Sequence, residues 1–312
     1  MKRRTLLTAV PLAAPALLLD KKSAAAAGIL NIGYQKLSLS LVLARINGSL
    51  EAKLKPLGYS VNWSEFTSGP PLLEALNAGA VDLGYTGEPP PIFAQAAGTP
   101  ISYVAGTDPS PHSIAIMKPA DSKLASVKDL AGKSVAVGKG TSAHYLLVSA
   151  LAAAGVPYAA VNKVFLQPAD ARAAFSSGSV DAWAIWDPFY AGVEATGAKI
   201  LTDGAGLMPN RAYYLARSAY AAANPAAIKA VIEALNDLEQ WEKSHISQTA
   251  ATVSPPIGLP PPVLETWLKR LTYGVYPISP QMVAGQQKIA DAFSQLSLIP
   301  HPVKIADAVW RG

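Results

Sequence analysis

Two stretches of the chain, LNAGAVDLGYTGEPP (76–90) and FSSGSVDAWAIWDPF (175–189), share one pattern at an offset of 99 residues. The matched positions are Gly79 with Gly178, Val81 with Val180, Asp82 with Asp181, Glu88 with Asp187, and Pro89 with Pro188. Such a unit ends one helix at glycine, continues through a buried strand and opens the next helix at an acid–proline pair. Its double occurrence predicts a chain built of two similar lobes.

Strand-like and helix-like segments alternate around this repeat. Apolar runs predict strands at Leu30–Tyr34, Ser60–Phe66, Val81–Tyr85, Ile101–Ala105, Ile114–Met117, Ser134–Val137, Lys163–Leu166, Val180–Trp186 and Lys199–Leu201. The alternation of these strands with helical segments predicts an α/β fold whose sheets are covered by helices on both faces. The end of the chain differs, because helices beginning at proline are predicted there at Pro225–Lys243, Pro261–Leu271 and Pro280–Leu296.

A cleft between the two predicted lobes is the expected place for a ligand. In open α/β sheets, ligands bind at the carboxyl ends of the strands. The loops that follow the repeated strands, at 86–88 and 186–187, are therefore expected to face a common space. Extended, proline-containing connections near 108–113 and 203–211 would form a two-segment hinge that lets the lobes close on a ligand.

The first 27 residues have the anatomy of an export signal. A basic start (residues 1–4) precedes a 15-residue apolar run (5–19) and A-x-A sites at 24–27, so the mature chain is expected to begin near Gly28. The Arg3-Arg4 pair is compatible with the twin-arginine route as well as the general one. The segment holds five of the 26 basic and one of the 21 acidic residues, which leaves a net charge of +1. The sequence therefore predicts no nucleic-acid partner.

Residue types needed for several chemistries are missing. The chain has no cysteine, which excludes disulfides, thiolate metal sites, a cysteine nucleophile and a lipoprotein anchor. Its four histidines, at 112, 144, 245 and 301, include no pair at metal-ligand spacing. Ser142 and His144 lie two apart on one predicted helix and would not face each other. We expect no cofactor and no enzymatic activity, although a triad assembled from distant residues stays open.

The stretch SVAVGKGTSAHYLL (134–147) looks suited to an anion. As a nucleotide-binding loop it fails at both ends, because Lys133 stands where the first glycine is required and Gly140 where a hydroxyl must hold magnesium. Its strand–turn–helix order remains, with Thr141 or Ser142 capping a helix whose free N–H groups favour an anion. Plain capping without a ligand is the alternative. The junctions at 67–71 and 86–89 have the same form, and together the three would make an uncharged oxyanion cradle.

Two carboxylates and one tryptophan are expected near the same cradle. Glu88 and Asp187 would be poor neighbours for a bare anion, so they either cap helices or accept hydrogen bonds from a donor group on the ligand. Trp186 precedes Asp187 at a strand end and is expected to line the cleft as an aromatic wall for the carbon part of an organic anion.

These stretches, together with GYQK (33–36), GPPLLEALNAGAVDLGYTGEPPPIFAQAAG (69–98), PHS (111–113), VFLQPADARAAFSSGSVDAWAIWDPF (164–189) and QQKIADAF (286–293), resemble the periplasmic aliphatic-sulfonate-binding proteins of ABC importers. The resemblance runs from about Asn31 to Trp310. It implies a type II periplasmic-binding fold, in which two α/β lobes are joined by two crossings and the tail returns to the first lobe. The lobes would comprise 28–111 with 211–312, and 112–210.

The resemblance also implies a function and a set of contacts. The protein would be a periplasmic monomer that captures a small organic sulfonate and delivers it to a membrane permease with a cytoplasmic ATPase. Taurine or another substituted sulfonate is the alternative ligand, and an exported enzyme the alternative class. The implied ligand contacts are Gln35, Gly69, Pro70, Thr86, Gly87, Glu88, His112, Ser113, Gly140, Thr141, Ser142, His144, Trp186, Asp187 and Tyr214. Arg211 is expected to add a charge near the cleft.

Overall fold

The computed structural model describes residues 28–312, so the predicted export signal at 1–27 lies outside the described residues. The strands are β1 (Gly28–Tyr34), β2 (Tyr59–Glu65), β3 (Leu83–Gly87), β4 (Ile101–Thr107), β5 (Ile114–Lys118), β6 (Ser134–Val137), β7 (Asn162–Phe165), β8 (Ala182–Trp186), β9 (Lys199–Asp203), β10 (Ala212–Arg217) and β11 (Val275–Tyr276). They form two sheets with helices packed against them, and the predicted two-lobed α/β fold is confirmed. Within residues 28–312, no helix is both long enough and apolar enough to cross a membrane.

Helices cover the sheets and make up most of the C-terminal third. Their bounds are α1 (Leu39–Asn47), α2 (Ser49–Leu54), α3 (Gly69–Asn77), α4 (Pro89–Ala96), α5 (Ser142–Ala153), α6 (Pro168–Ser176), α7 (Phe189–Glu194), α8 (Ser218–Ala223), α9 (Pro225–Ser244), α10 (Ile246–Ile257), α11 (Pro261–Leu268) and α12 (Pro280–Gln295). Proline stands in the first turn of α3, α4, α6, α9, α11 and α12, where its missing N–H costs nothing.

The two sheets share one arrangement over five strands, and the first has β11 as an additional edge strand. The first has the order β11-β4-β10-β3-β1-β2, and the second has the order β7-β6-β8-β5-β9. In each, one strand pairs in parallel with the two strands that follow it in the chain, as β1 does with β2 and β3, and β6 with β7 and β8. In each, an antiparallel strand then follows, β10 beside β3 and β5 beside β8. The repeated sequence unit therefore corresponds to a repeated supersecondary unit.

The repeated glycines and aspartates have matching roles in the two lobes. Gly79 and Gly178 both have positive φ, at 76° and 74°, which favours glycine at the end of a helix. Asp82 accepts a hydrogen bond from the backbone N–H of Asn31 at 3.1 Å, and Asp181 accepts one from that of Ser134 at 2.8 Å. Each aspartate therefore ties the start of its strand to the neighbouring parallel strand.

Two chain crossings join the sheets side by side. One runs from the end of β4 to β5, and the other from the end of β9 to β10, which are the two connections predicted for the hinge. They are bonded together, because the Ser110 N–H donates to the Asn210 carbonyl at 3.2 Å and Asn210 Nδ2 donates to the Ser110 carbonyl at 2.8 Å. The segment after α11 joins them, since the Thr272 N–H donates to Ser110 Oγ at 2.9 Å.

All nine predicted strands are present, with ends shifted by three residues or fewer. Two strands of the first sheet, β10 and β11, were not predicted. Helix α10 was also missed, and it continues through Pro255 and Pro256 to end at Gly258 with φ 80°. Proline is tolerated here because the stretch before it already forms most of the helix and packs against α11 and α1.

The repeated aspartates offer a matched pair of stability tests. We expect Asp82→Ala to cost about 3 kcal/mol or more, because Asp82 is buried and its loss leaves Arg217, which is 2.7 Å away, and Asn31 without their acceptor. Asp181→Ala should cost only about 1 kcal/mol, because Asp181 is partly exposed and its ion pair with Lys133 is 3.9 Å long. Urea unfolding of both variants measures the difference, and equal losses would contradict this account.

Candidate ligand-binding cleft

A cavity of about 820 Å³, its opening to solvent included, lies between the two lobes. Its wall combines strand ends, helix starts and both crossings. Nine of the predicted contact residues line it: Gln35, Gly69, Thr86, Gly87, Ser113, Thr141, Ser142, Trp186 and Asp187. The structure therefore brings the three strand–turn–helix junctions together at one place, although whether these residues touch a ligand stays a prediction.

The start of α5 has the predicted cap. Thr141 is the N-cap, and its hydroxyl accepts a hydrogen bond from the His144 N–H at 3.4 Å while donating to the Gly138 carbonyl at 2.6 Å. The Thr141 hydroxyl is thus occupied by the turn itself. No hydrogen bond from Ser142 Oγ to another part of residues 28–312 is found, so this hydroxyl and the first N–H groups of α5 remain available to a ligand.

His144 stabilises the turn at Gly140 from outside the cavity. Its side chain is fully buried and lies outside the cavity wall, where Nδ1 accepts a hydrogen bond from the Gly140 N–H at 3.2 Å. Nε2 is 2.5 Å from Tyr158 Oη, so it carries the ring proton and donates it. Burial, followed by the charges of Lys139 and Lys163, lowers the pKa of His144 to about 4. The imidazole is therefore neutral at physiological pH and serves the Gly140 turn, whose φ is 71°.

Other predicted contacts also lie off the wall. His112 is exposed, and its Nδ1 is 2.8 Å from Asp203 Oδ2 at one crossing. Tyr214 is buried in the core of the first lobe, with its ring centroid 5.0 Å from that of Tyr85, which does line the cavity. Pro70 lies in the first turn of α3, next to Gly69 on the wall. These residues support the wall rather than forming it.

The carboxylates at 88 and 187 have different surroundings. Asp187 lines the cavity, and its Oδ1 accepts from the Ala191 N–H at 2.8 Å, as a residue at the start of α7 should. Arg270 Nη1 lies 3.2 Å from Oδ2, so the charge is paired. Burial nevertheless raises the pKa of Asp187 to about 7, against the effect of Arg270.

Glu88, by contrast, is buried behind the wall and makes no side-chain cap to α4. Its Oε2 has no partner within residues 28–312. Burial raises the pKa of Glu88 to about 8, while a backbone hydrogen bond from Arg211 and the Arg211 charge act in the opposite direction. Of the two roles expected for these carboxylates, capping is therefore found for Asp187 and not for Glu88.

The lobes touch across the cleft. Ser68 of the first lobe donates to Gln167 Oε1 of the second at 3.1 Å, and Arg270 pairs with Asp187 and Glu194. At Gly87 the approach is so close that a Cβ would lie 2.1 Å from Ser142 Oγ. The two lobes are thus in contact beside the cavity, and glycine at position 87 permits the close approach to Ser142.

Comparison with known proteins agrees with this architecture. A sequence profile described as the NMT1-like family matches residues 27–254. An aliphatic sulfonates-binding protein of Escherichia coli is 41% identical over 284 residues, which cover 90% of this chain and 88% of that protein. The chain belongs to the NMT1-like family, among the aliphatic-sulfonate-binding proteins.

Two further relatives place the chain within this family. The alkanesulfonate-binding protein SsuA from Xanthomonas axonopodis pv. citri, solved bound to MOPS, superposes with a TM-score of 0.89 at 41% identity and covers 92% of this chain and 100% of that one. The taurine-binding periplasmic protein of Escherichia coli is 28% identical over 67% of this chain and 68% of its own length. These sulfonate-binding relatives are binding proteins by name, and the first confirms the two-lobed fold.

Several wall residues of this family member were not predicted from the sequence. Arg211, which had been expected only to lie near the cleft, is on the wall, and its Nη1 donates to the Thr107 carbonyl at 2.8 Å. Ser40, Glu239, Glu242, Trp267 and Tyr273 are also on it. The positions of the two glutamates could have been predicted from the sequence pattern of α9. They continue the buried stripe of α9, so that positions 228, 231, 235, 239 and 242 recur at helical spacing with acids at the last two.

The neutral, buried His144 gives a testable pH dependence. The unfolded histidine takes up a proton below its ordinary pKa of 6.5, whereas the folded one does so only near 4. The stability it contributes is therefore complete above pH 6.5 and is lost as the pH falls from about 6.5 to about 4. We expect the difference in free energy of unfolding between wild type and His144→Gln to shrink through that window. The same change at the exposed His301 is the control, and parallel curves for wild type and His144→Gln would contradict the assignment.

Proposed function

We propose that this protein is a periplasmic substrate-binding protein that captures aliphatic sulfonates between its lobes and delivers them to an ABC transporter permease driven by a cytoplasmic ATPase. Its family and its 41% identity to an aliphatic sulfonates-binding protein support this function. The relative solved with MOPS, a molecule with a sulfonate group, supports the ligand class. The export-like segment at 1–27 supports the periplasmic location.

The observation that carries the proposal is an unpartnered donor on the cavity wall. Trp186 lines the cavity, and its buried indole N–H has no acceptor within residues 28–312. Leaving a buried donor unsatisfied costs about 1–3 kcal/mol, so its presence points to a ligand oxygen. Ser142 Oγ and the N–H groups at the start of α5 are available beside it. A sulfonate is a weakly basic anion that such uncharged donors suit.

The predicted contacts divide into two roles under this proposal. Those on the wall would touch the ligand, with Ser142 and Trp186 as donors and Asp187 held by Arg270. Gly140 and His144 would shape the α5 turn, and the remaining four, Pro70, Glu88, His112 and Tyr214, would act from behind or beside the wall. Gln35 already donates to the Tyr85 carbonyl at 2.8 Å, so its side-chain oxygen is the part left for a ligand.

The proposal includes the organisation of the chain. Residues 28–111 and 211–312 would form one lobe and 112–210 the other, and the protein would act as a monomer without a cofactor. It would be a receptor and not an enzyme, since its relatives are binding proteins and its buried His144 is held in a structural turn.

Calorimetric titration with a series of short alkanesulfonates tests this function. We expect saturable binding of at least one member, with unaltered ligand recovered after prolonged incubation. Tight binding of nitrate or sulfate with no binding of any sulfonate would overturn the ligand class. Conversion of a bound sulfonate to another product would overturn the receptor assignment in favour of an exported enzyme.

Replacing Trp186 by phenylalanine removes the indole N–H and keeps an aromatic ring on the wall. We expect Kd for the sulfonate to rise roughly 10- to 150-fold, because a hydrogen bond to a charged group is worth about 1.5–3 kcal/mol. Trp183→Phe is the matched control on the same strand, because Trp183 is buried in the core of the second lobe and is not on the wall. It should lower the unfolding temperature without changing Kd, and an unchanged Kd for Trp186→Phe would assign that residue to packing alone.

Gly87→Ala tests whether binding requires closure. The added methyl group would meet Ser142 Oγ, and overpacking of this kind costs about 1–3 kcal/mol, so Kd should rise roughly 5- to 150-fold. Gly285→Ala is the control, because a Cβ at that position in α12 meets nothing within 4 Å. The measurement is titration of both variants with the same alkanesulfonate. Equal affinities would show that the contact between Gly87 and Ser142 is not part of the bound state.

A further inference from the structure

Two buried glutamates line the cavity away from the α5 turn. Glu239 and Glu242 lie three residues apart on one face of α9, are 7% and 1% exposed, and both belong to the cavity wall. They face Ser40 in the first turn of α1, whose hydroxyl lies 3.1 Å from Glu239 Oε1 and 3.4 Å from Glu242 Oε2. A single hydroxyl thus serves both carboxyl groups.

One carboxyl oxygen of the two glutamates has no hydrogen-bond partner in the described residues. Glu239 Oε2 accepts from the Gly274 N–H at 2.6 Å, so Glu239 is satisfied by the protein. Glu242 Oε1 is buried and has no hydrogen-bond partner within residues 28–312. Across the same residues, neither carboxyl group forms an ion pair with a lysine, arginine or histidine. The unpartnered oxygen is an observation independent of the clustering of the two acids. Because Glu242 lines the cavity, this oxygen indicates a ligand that donates a hydrogen bond to it.

The nearest positive charge on the cavity wall does not pair with either glutamate, because Arg211 donates to the Thr107 carbonyl and lies 4.0 Å from Asp108. The titratable groups that interact with the pair are the phenols of Tyr85, Tyr214, Tyr273 and Tyr276, together with Asp108 at the crossing. Burial raises the pKa of Glu239 to about 7 and that of Glu242 well above its ordinary value, and the charge of Glu239 adds to the second shift. Both shifts favour the protonated form of the carboxyl groups, and an ammonium group beside them would favour the ionised form.

The wall beside the pair suits a carbon chain that ends in a cation. Leu37, Leu39 and Leu271 are apolar, and Trp267 and Tyr273 present aromatic rings at the same cavity. Apolar and aromatic surfaces accommodate methylene groups, and aromatic faces also attract ammonium ions. The two carboxylates singled out from the sequence do not compete for such a group, because Asp187 is paired with Arg270 and Glu88 is off the wall.

We propose that Glu239 and Glu242 form a subsite for a cationic nitrogen, so that the preferred ligands are zwitterionic aminoalkanesulfonates rather than purely aliphatic ones. The sulfonate would lie at the Ser142–Trp186 side of the cavity, and the ammonium group would donate to Glu242 Oε1. This inference rests on the proposed function of the cleft and specifies its substrate class. It replaces Glu88 and Asp187, the carboxylates singled out from the sequence, as partners for an ammonium group.

Two ligands of equal size separate the effect of the ligand's positive charge from the effect of its carbon chain. 3-Aminopropanesulfonate and 1-butanesulfonate differ in having an ammonium or a methyl group at the same end. We expect wild type to bind the amino compound about tenfold or more tightly, which corresponds to about 1.4 kcal/mol. In Glu242→Gln, which keeps the shape and removes the charge, this preference should be lost or reversed while butanesulfonate still binds. Titration in two buffers of different ionisation enthalpy should show more proton release on binding by wild type than by the variant, which retains only Glu239.

The outcomes distinguish this inference from the function on which it rests. Equal or tighter binding of butanesulfonate by wild type would overturn the cation subsite and leave the sulfonate receptor intact. Binding of neither ligand would overturn both. Should Glu242→Gln fail to fold, Glu239→Gln provides the second variant, and the comparison of the two ligands on wild type decides the question by itself. A preference for the amino compound that survives in both variants would place its partner elsewhere.

Discussion

The cleft depends on buried polar groups in its wall. These groups are removed from water and have no hydrogen-bond partner in the described part of the protein. Within residues 28–312, ten buried side-chain nitrogen and oxygen atoms have no hydrogen-bond partner, and two of them belong to residues on the cavity wall. These two are the indole nitrogen of Trp186 and Oε1 of Glu242. A folded protein tolerates such groups at a cost of about 1–3 kcal/mol each unless another molecule completes them. One is a donor and the other an acceptor, and the proposed ligand, with a sulfonate at one end and an ammonium group at the other, would complete both.

Much of the fold could be predicted because its signals are local. The Gly79 and Gly178 helix ends, the prolines that begin helices and the Thr141 cap all depend on residues a few positions apart. Strands β10 and β11 could not be found in this way. The apolar pattern of β10 gains its meaning only when the chain returns from the second lobe to pair between β3 and β4, and two residues of β11 carry no periodicity.

The cavity wall was predictable to a similar extent and for the same reason. Residues next to strand ends, such as Thr86 and Trp186, were found because topology places strand ends at clefts. His112 and Tyr214 were named on position along the chain, but whether a side chain turns toward the cleft depends on packing that spacing does not encode. Glu239 and Glu242 come from a helix far along the chain, and their only local signal is acidity in an apolar stripe.

The two crossings bonded through Ser110 and Asn210 have a mechanical consequence. Because they lie side by side and share hydrogen bonds, they define a single axis, and the segment at Thr272 braces it. A rotation about such an axis moves atoms near it very little and the far ends of the lobes a great deal. Under the proposed function the molecule would work as a lever, in which hydrogen bonds gained deep in the cleft become a displacement at the outer surface, where a permease would detect it.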